Sequence, residues 1–522
     1  MTSGRDRWTF AAAALAACLY AAWAAWRHAW VCDDAFISFR YAENLVHGLG
    51  LVYNAGERVE GYSNFLWTLW SALGIRLGAD PERWAAASSF ACNLGALALL
   101  AWNAWRMRGD SPGAAPALPV AALVGATLLE WNIYATGGLE TSLYAFLVTL
   151  AYVLLAGGRD RARPVAWAGF VLGLAAMTRP DGPLLAALAG SYLWLVDRRR
   201  PRALGAFLGT FLITWVPFTV WRVSYYGDFF PNPYYAKSAG RAWIDQGAAY
   251  VLLYFARYWP LALGAAGAAF LWIARRGRAG AFSRRALGPW NRRVGLAMLL
   301  AFGYTAYIVY VGGDFMFGRL LIPVTPLFLV LLEAAVARVA AGRPAAQWIA
   351  AGAAAAAVTL TPHPVPGDRA VRGIVNEWAF YTRERAAEAR EQGLTLRPFF
   401  AGLPVRVAFL GSEARLVYYA RPAVAIESQT GLTDRFIAHQ PLRERGRVGH
   451  EKVAPLEYLI NTRGANFIFH PLADRQWPLD RVIPRVEVDF AGVRGRVLSW
   501  DPALMDSLRA RGAVVRDLSG HT

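Results

Sequence analysis

Two adjacent carboxylates, Asp33 and Asp34, follow the first apolar segment and open the most polar loop beside it, Val31 to Trp67. Carboxylates in such a place can take a proton from an acceptor hydroxyl, act as a nucleophile, or hold a divalent cation (Mg or Mn) against a phosphate. A plain structural role competes, because an Asp ahead of a helix also caps it and suits its dipole. A third carboxylate, Glu140, follows Gly137-Gly138 at the start of another apolar stretch. It fits acid/base or metal work, or again a helix-terminal charge. Arg179, Arg319 and Lys237 stand where loops meet apolar stretches, placed to neutralise a departing phosphate or simply to snorkel to an interface. Asp181 and Asp314 are candidates to orient these cations. Arg40, Asp434 and His450 complete the set in supporting or acceptor-binding roles, with a satisfied surface cluster as the alternative for His450.

The elements that must position these residues cross a membrane. Of 522 residues, 56% are hydrophobic and 17% charged, against about 25% charged in an ordinary soluble chain. The apolar residues come in runs of roughly 18 to 22, enough to cross a ~30 Å hydrocarbon core. The net charge of +18 lies in arginines between these runs, which points to membrane topology and anionic lipid head groups and away from nucleic acid. The three cysteines show no metal-ligand spacing and no disulfide framework. The run Phe10–Trp26 is long for a cleavable signal and is expected to remain as the first span.

After that span the chain predicts a helix over Ala35–His47, ended by Gly48, then a turn at Asn54-Ala55-Gly56 and a second helix over Phe65–Leu77. Arg40, Glu43 and His47 share one face of the first helix, a pattern suited to lying along the membrane surface. If the second helix crossed the bilayer, the arginine clusters at 106–108, 159–163, 198–202 and 275–293 would all face outward. If it stays at the interface they face the cytoplasm, as the positive-inside rule requires. That choice gives about eleven spans, the N-terminus inside, and a first outer loop over residues 28–83. Glu140, Arg179, the loop Tyr225–Lys237 and Arg319 then share the side of the Asp pair.

Two domains are expected: a membrane module over 1–361 and an extracytoplasmic α/β domain over 362–522, large enough at about 160 residues to bury its own core. In the second, strands are predicted at Val405–Leu410, Ala423–Ile426, Phe467–His470 and Val486–Phe490, with a helix over Asn376–Gln392.

The motif Asp33-Asp34-Ala35-Phe36-Ile37-Ser38-Phe39-Arg40-Tyr41-Ala42, with Asn54-x-Gly56-Glu57 and Val59-Glu60-Gly61-Tyr62-Ser63-Asn64-Phe65, resembles the first-loop signature of a GT-C glycosyltransferase group. That group includes the mycobacterial terminal arabinofuranosyltransferases. Thr178-Arg179-Pro180-Asp181-Gly182, Gly312-Gly313-Asp314-Phe315-Met316, Gly431-Leu432-Thr433-Asp434 and Gly449-His450-Glu451-Lys452 extend the resemblance. It implies a mostly α, polytopic membrane GT-C fold in a bacterial inner membrane. It also implies transfer of a sugar from a polyprenyl-phosphate donor to a cell-envelope glycan or lipid, with Asp33 and Asp34 as the catalytic or metal-linked pair. A transporter or flippase of lipid-linked sugars is the rival reading, but such proteins usually show paired repeats and mid-membrane polar sites. An inactive envelope-assembly scaffold is the third.

Overall fold

Apolar runs this long bury their backbone polar groups only as helices. The computed structural model describes residues 4–110, 115–157, 162–196, 201–278, 288–409, 411–469, 486–497 and 501–517. Among these, five helices are long and apolar enough to cross a membrane: Asp6–Arg27, Pro81–Arg108, Pro201–Tyr226, Pro289–Val311 and Ile322–Val339. Shorter apolar helices are Thr141–Gly157, Ala162–Thr178, Gly182–Leu195, Trp259–Arg275 and Pro344–Leu360. Of the arginines that set the predicted topology, Arg159, Arg161, Arg198–Arg200, Arg284 and Arg285 lie outside the described residues, as do Leu410 and His470 of the predicted strands.

Two of the roughly eleven apolar runs expected to span, Ala115–Ile133 and Ala249–Ala274, are broken. Ala115–Ile133 divides into Val120–Thr127 and Leu129–Tyr134 around an extended Leu128. The Asn132 amide donates to the carbonyls of Ala126 and Leu128, replacing the helical ladder there. Ala249–Ala274 divides at Tyr258, between the helices Ile244–Arg257 and Trp259–Arg278. Pro260 supplies no N–H to carry the first helix through. The helix Phe65–Arg76 has 12 residues, about 18 Å, well short of a ~30 Å core.

Contacts group the chain into two compact units. The first comprises Met1–Trp30, Glu82–Trp221 and Ala242–Asn376, and the second Val31–Pro81, Arg222–Arg241 and Glu377–Thr522. The first loop therefore packs with the C-terminal segment, a grouping that the chain order 1–361 and 362–522 does not express.

In the first unit, Thr141–Gly157 packs against Ala162–Thr178, which packs against Gly182–Val196. Pro180 ends one helix and Gly182 starts the next. A Cβ at Gly182 would lie 2.5 Å from the Ala176 Cα, so only glycine permits this tight reversal.

The second unit holds a six-stranded sheet. Its strands are β1 (Arg406–Phe409), β2 (Val424–Glu427), β3 (Phe467–Phe469), β4 (Val486–Phe490), β5 (Val493–Val497) and β6 (Val514–Asp517), in the order β2-β1-β3-β5-β4-β6. β2, β1 and β3 run parallel, and the remaining pairs are antiparallel. Ala408, Ile426, Ile437, Ala454, Leu459, Ala465 and Ile468 form its core. The helix predicted over 376–392 is divided into the short helix Glu377–Phe380 and a longer one, Arg383–Phe400, which Thr382 caps by accepting the Arg385 N–H.

The first-loop helix Ala35–Val46 packs on Phe65–Arg76 and on Ala414–Ala420. Every residue from Ala35 to Glu43 is buried. The face carrying Arg40 is thus inside the unit, which corrects the expectation of a helix laid along the membrane surface.

Candidate active site

In the second unit, Asp33 and Asp34 are held differently. Asp33 is 3% exposed. Its Oδ2 accepts the Ala414 N–H at 2.9 Å and its Oδ1 the Arg415 N–H at 2.9 Å. The Arg415 guanidinium donates to the Val31 carbonyl at 2.9 Å and lies over the Phe36 ring, fixing the start of the loop. Burial pushes the Asp33 carboxyl up to about 7, against the pull of the two backbone N–H groups. Asp34 is half-buried at the start of Ala35–Val46 and makes no side-chain cap bond. The capping role expected of the pair falls to Asp33, and on a different helix.

Glu413, which no sequence motif marked, borders this site. Burial, then the charge of Asp33, pushes its carboxyl up to about 8. Tyr381 also feels both aspartates, and burial followed by the Asp33 charge raises its hydroxyl.

The other candidates of this unit are structural. Arg40 donates to the carbonyl of Tyr53 at 2.9 Å, Asn54 Oδ1 at 3.4 Å and the carbonyl of Pro422 at 3.2 Å. Asp434 caps the helix Arg435–Ala438 through the Ile437 N–H, accepts the Tyr458 hydroxyl and forms an ion pair with Arg463. His450 lies half-buried, its Nδ1 3.2 Å from the Val448 carbonyl. Lys237 follows the short helix Asn232–Ala236, its stem against Gly449. A second buried ion pair joins Glu60 to Arg222 at 2.7 Å.

The first unit brings five of the predicted residues together. Glu140 is 1% exposed, and its Oε1 accepts Arg179 Nη1 at 3.1 Å and Arg319 Nη2 at 3.3 Å. Arg179 grips Asp181 through Nε and Nη2 at 3.1 Å each. The Tyr304 hydroxyl donates to Asp181 at 2.6 Å, and Arg179 lies over the Tyr144 ring. Arg319 Nη1 is 3.6 Å from Asp314 Oδ2. The turn that presents Asp314 depends on Gly313, at φ +72°, where a Cβ would strike the Tyr250 ring. Three carboxylates surround two guanidiniums, so the cluster has no uncompensated positive charge. Glu140 acts here as the shared counter-ion that sets the spacing of the two arginines.

Sequence reasoning missed a pair in the same unit. His363 Nδ1 accepts the Val365 N–H at 3.1 Å, so Nε2 carries the proton and donates to Glu130 Oε1 at 2.7 Å. Glu130 lies within an apolar run, and a carboxylate there is a signal by itself.

Among the described residues no three His, Cys, Asp or Glu side chains are grouped to hold a metal. With no third such side chain grouped beside the two aspartates among the described residues, the donor set does not complete the expected cation site at Asp33 and Asp34. No step below runs through a metal.

The fold is that of the polytopic membrane GT-C class. ArnT from Cupriavidus metallidurans bound to undecaprenyl phosphate matches at a TM-score of 0.59 and 15% identity, over 95% of this chain and 98% of that one. Its apo form matches at 0.58. In sequence the chain is similar to the terminal β-(1→2)-arabinofuranosyltransferase of Mycobacterium tuberculosis, 31% identical over 405 residues, covering 69% of this chain and 64% of the relative. It is also similar to that of Corynebacterium glutamicum, 31% identical over 356 residues, covering 62% of this chain and 50% of the relative. The chain thus spans between half and just under two-thirds of the length of these relatives. No family model matches it.

Proposed function

We propose that this protein is a membrane glycosyltransferase that moves an arabinofuranosyl residue from a polyprenyl-phosphate donor to a cell-envelope glycan. The observation that carries the reading is the Glu140–Arg179–Arg319 cluster, set in a fold that ArnT displays with undecaprenyl phosphate bound. As the bond from the sugar C1 to phosphate breaks, the electron pair leaves with the phosphate. Planar guanidiniums held at fixed spacing by their carboxylate partners aim N–H donors at the departing phosphate oxygens, and it is these directed hydrogen bonds, with no net positive charge on the cluster, that stabilise the leaving group. The acceptor oxygen forms the new bond to C1 and its proton passes to a carboxylate, a role assigned to Asp34 on its residue type and half-burial alone. Asp33, committed to two backbone N–H groups, holds the loop that presents Asp34. The proposed setting is a bacterial inner membrane, with the N-terminus cytoplasmic and the C-terminal residues outside.

The test is transfer of radiolabel from polyprenyl-phosphate arabinose to an arabinofuranoside acceptor by the purified protein in lipid vesicles. Movement of the labelled lipid across the vesicle without cleavage would replace this reading with the transporter.

A further inference from the structure

Beyond the Asp pair, the first-loop helix Ala35–Val46 turns a second set of polar side chains toward the residues that follow the helix Ala414–Ala420. Together they line a cavity of about 290 Å³, formed by Arg40, Glu43, Asn44, His47, Tyr418 and Arg421 with smaller apolar neighbours. That volume is at the lower end for small-molecule sites. Arg421 stands in the left-handed region at φ +52°, ψ +53°, a conformation costly for a side chain this large. Its guanidinium pairs with Glu43 across the cavity wall. Asn44 Nδ2 is spent on the carbonyls of Val52 and Tyr53, and His47 Nδ1 lies 2.8 Å from the Glu43 carbonyl. The Asn44 Oδ1 and His47 Nε2 ends are turned from those bonds.

We infer that this cavity is a glycan subsite that binds sugar residues of the acceptor remote from the reacting hydroxyl; the inference rests on the glycosyl-transfer reading above. Sugar hydroxyls both donate and accept, so they suit a wall that alternates guanidinium, carboxylate, amide and imidazole beside an aromatic ring. A bare phosphate does not suit it, because Glu43 repels an anion and already neutralises Arg421. From Asp34 to His47 the helix axis runs ~20 Å at ~1.5 Å per residue. A single sugar ring cannot reach from the base to this wall, whereas an oligosaccharide can. The subsite therefore selects acceptor length.

The experiment uses the full chain in lipid nanodiscs, with an arabinofuranosyl disaccharide and hexasaccharide as acceptors. The expected result is that the hexasaccharide-to-disaccharide ratio of kcat/KM falls about tenfold in Arg421→Gly and in His47→Ala. Glycine favours the left-handed turn, so Arg421→Gly removes the guanidinium and retains the backbone. An unaltered ratio in both variants overturns the inference. Hexasaccharide binding to the donor-free protein by calorimetry gives a readout separate from turnover. Binding that is lost in Arg421→Gly supports the subsite, and if it occurs without any transfer, the glycosyl-transfer reading alone fails. No hexasaccharide binding to the wild type, or its displacement by inorganic phosphate, overturns the subsite itself.

Discussion

Arg179 Nη1 donates to Glu140 Oε1 at 3.1 Å, and the same oxygen accepts from Arg319. One carboxylate oxygen thus sets the separation of two guanidiniums whose side chains are each 11% exposed. Glu140→Ala leaves both cations without their common acceptor, at an expected stability cost of ~3–5 kcal/mol. Glu140→Gln keeps the shape and one acceptor, and is expected to lower transfer by about 100-fold with a smaller loss of stability. Thermal unfolding and label transfer measured on both variants separate the two effects. A wild-type rate in Glu140→Gln would remove the cluster from the chemistry.

The Asp pair divides its labour. Asn at position 33 offers one carbonyl oxygen to the two N–H donors of Ala414 and Arg415, so one buried donor goes unmet at ~1–3 kcal/mol. Asp33→Asn is therefore expected to lower the unfolding midpoint. Asp34→Asn is expected to leave the midpoint near wild type and reduce transfer by about 100-fold or more. Full activity in the Asp33→Asn/Asp34→Asn double variant would end the proposed acid/base role.

How much of this the residues disclose depends on the kind of partner. The spans are legible because a helix in lipid writes its length into an apolar run. Glu140, Arg179 and Arg319 are legible as a group because side-chain charges at loop ends have few places to go. The Asp33 interaction is not, since its partners are backbone N–H groups, and any residue type can supply those. β5 is hidden for a related reason: Arg494, Gly495 and Arg496 give it no apolar alternation, and pairing with β4 makes it a strand. Arg40 misleads because a polar helix face looks solvent-directed until three carbonyl and amide oxygens are found to satisfy it.

Stability should fall as pH rises. In the second unit burial pushes Asp33 and Glu60 up to about 7 and Glu413 up to about 8. Their ordinary values are 3.8 for Asp and 4.5 for Glu. The folded state therefore keeps protons that the unfolded chain has already released. The stabilisation is fully present below about pH 4 and is lost as pH rises through 7 to 8. The unfolding midpoint in detergent should be higher at pH 5.5 than at pH 8.5, and Glu413→Gln should flatten that slope. A midpoint that rises across this interval would contradict the burial of these groups.

Chelation gives a direct check on the donor set. With no third His, Cys, Asp or Glu grouped beside Asp33 and Asp34 among the described residues, transfer is expected to continue at close to its full rate in excess EDTA. A loss restored by Mg or Mn would show that Asp34 recruits a cation with ligands other than Asp33.

The bond between Asp33 and the Ala414 N–H closes across 381 residues of chain, which has a consequence for synthesis. At ~5–20 residues per second, roughly 20 to 80 s separate the emergence of the two partners. Throughout that time the loop carrying Asp34 has been translated but lacks the segment that fixes its first residues. A nascent chain halted after its last apolar helix would hold every arginine of the Glu140 cluster and still present an unsecured base. Emergence of Ala414, more than insertion of the spans, would then mark the moment at which the loop carrying Asp34 is secured.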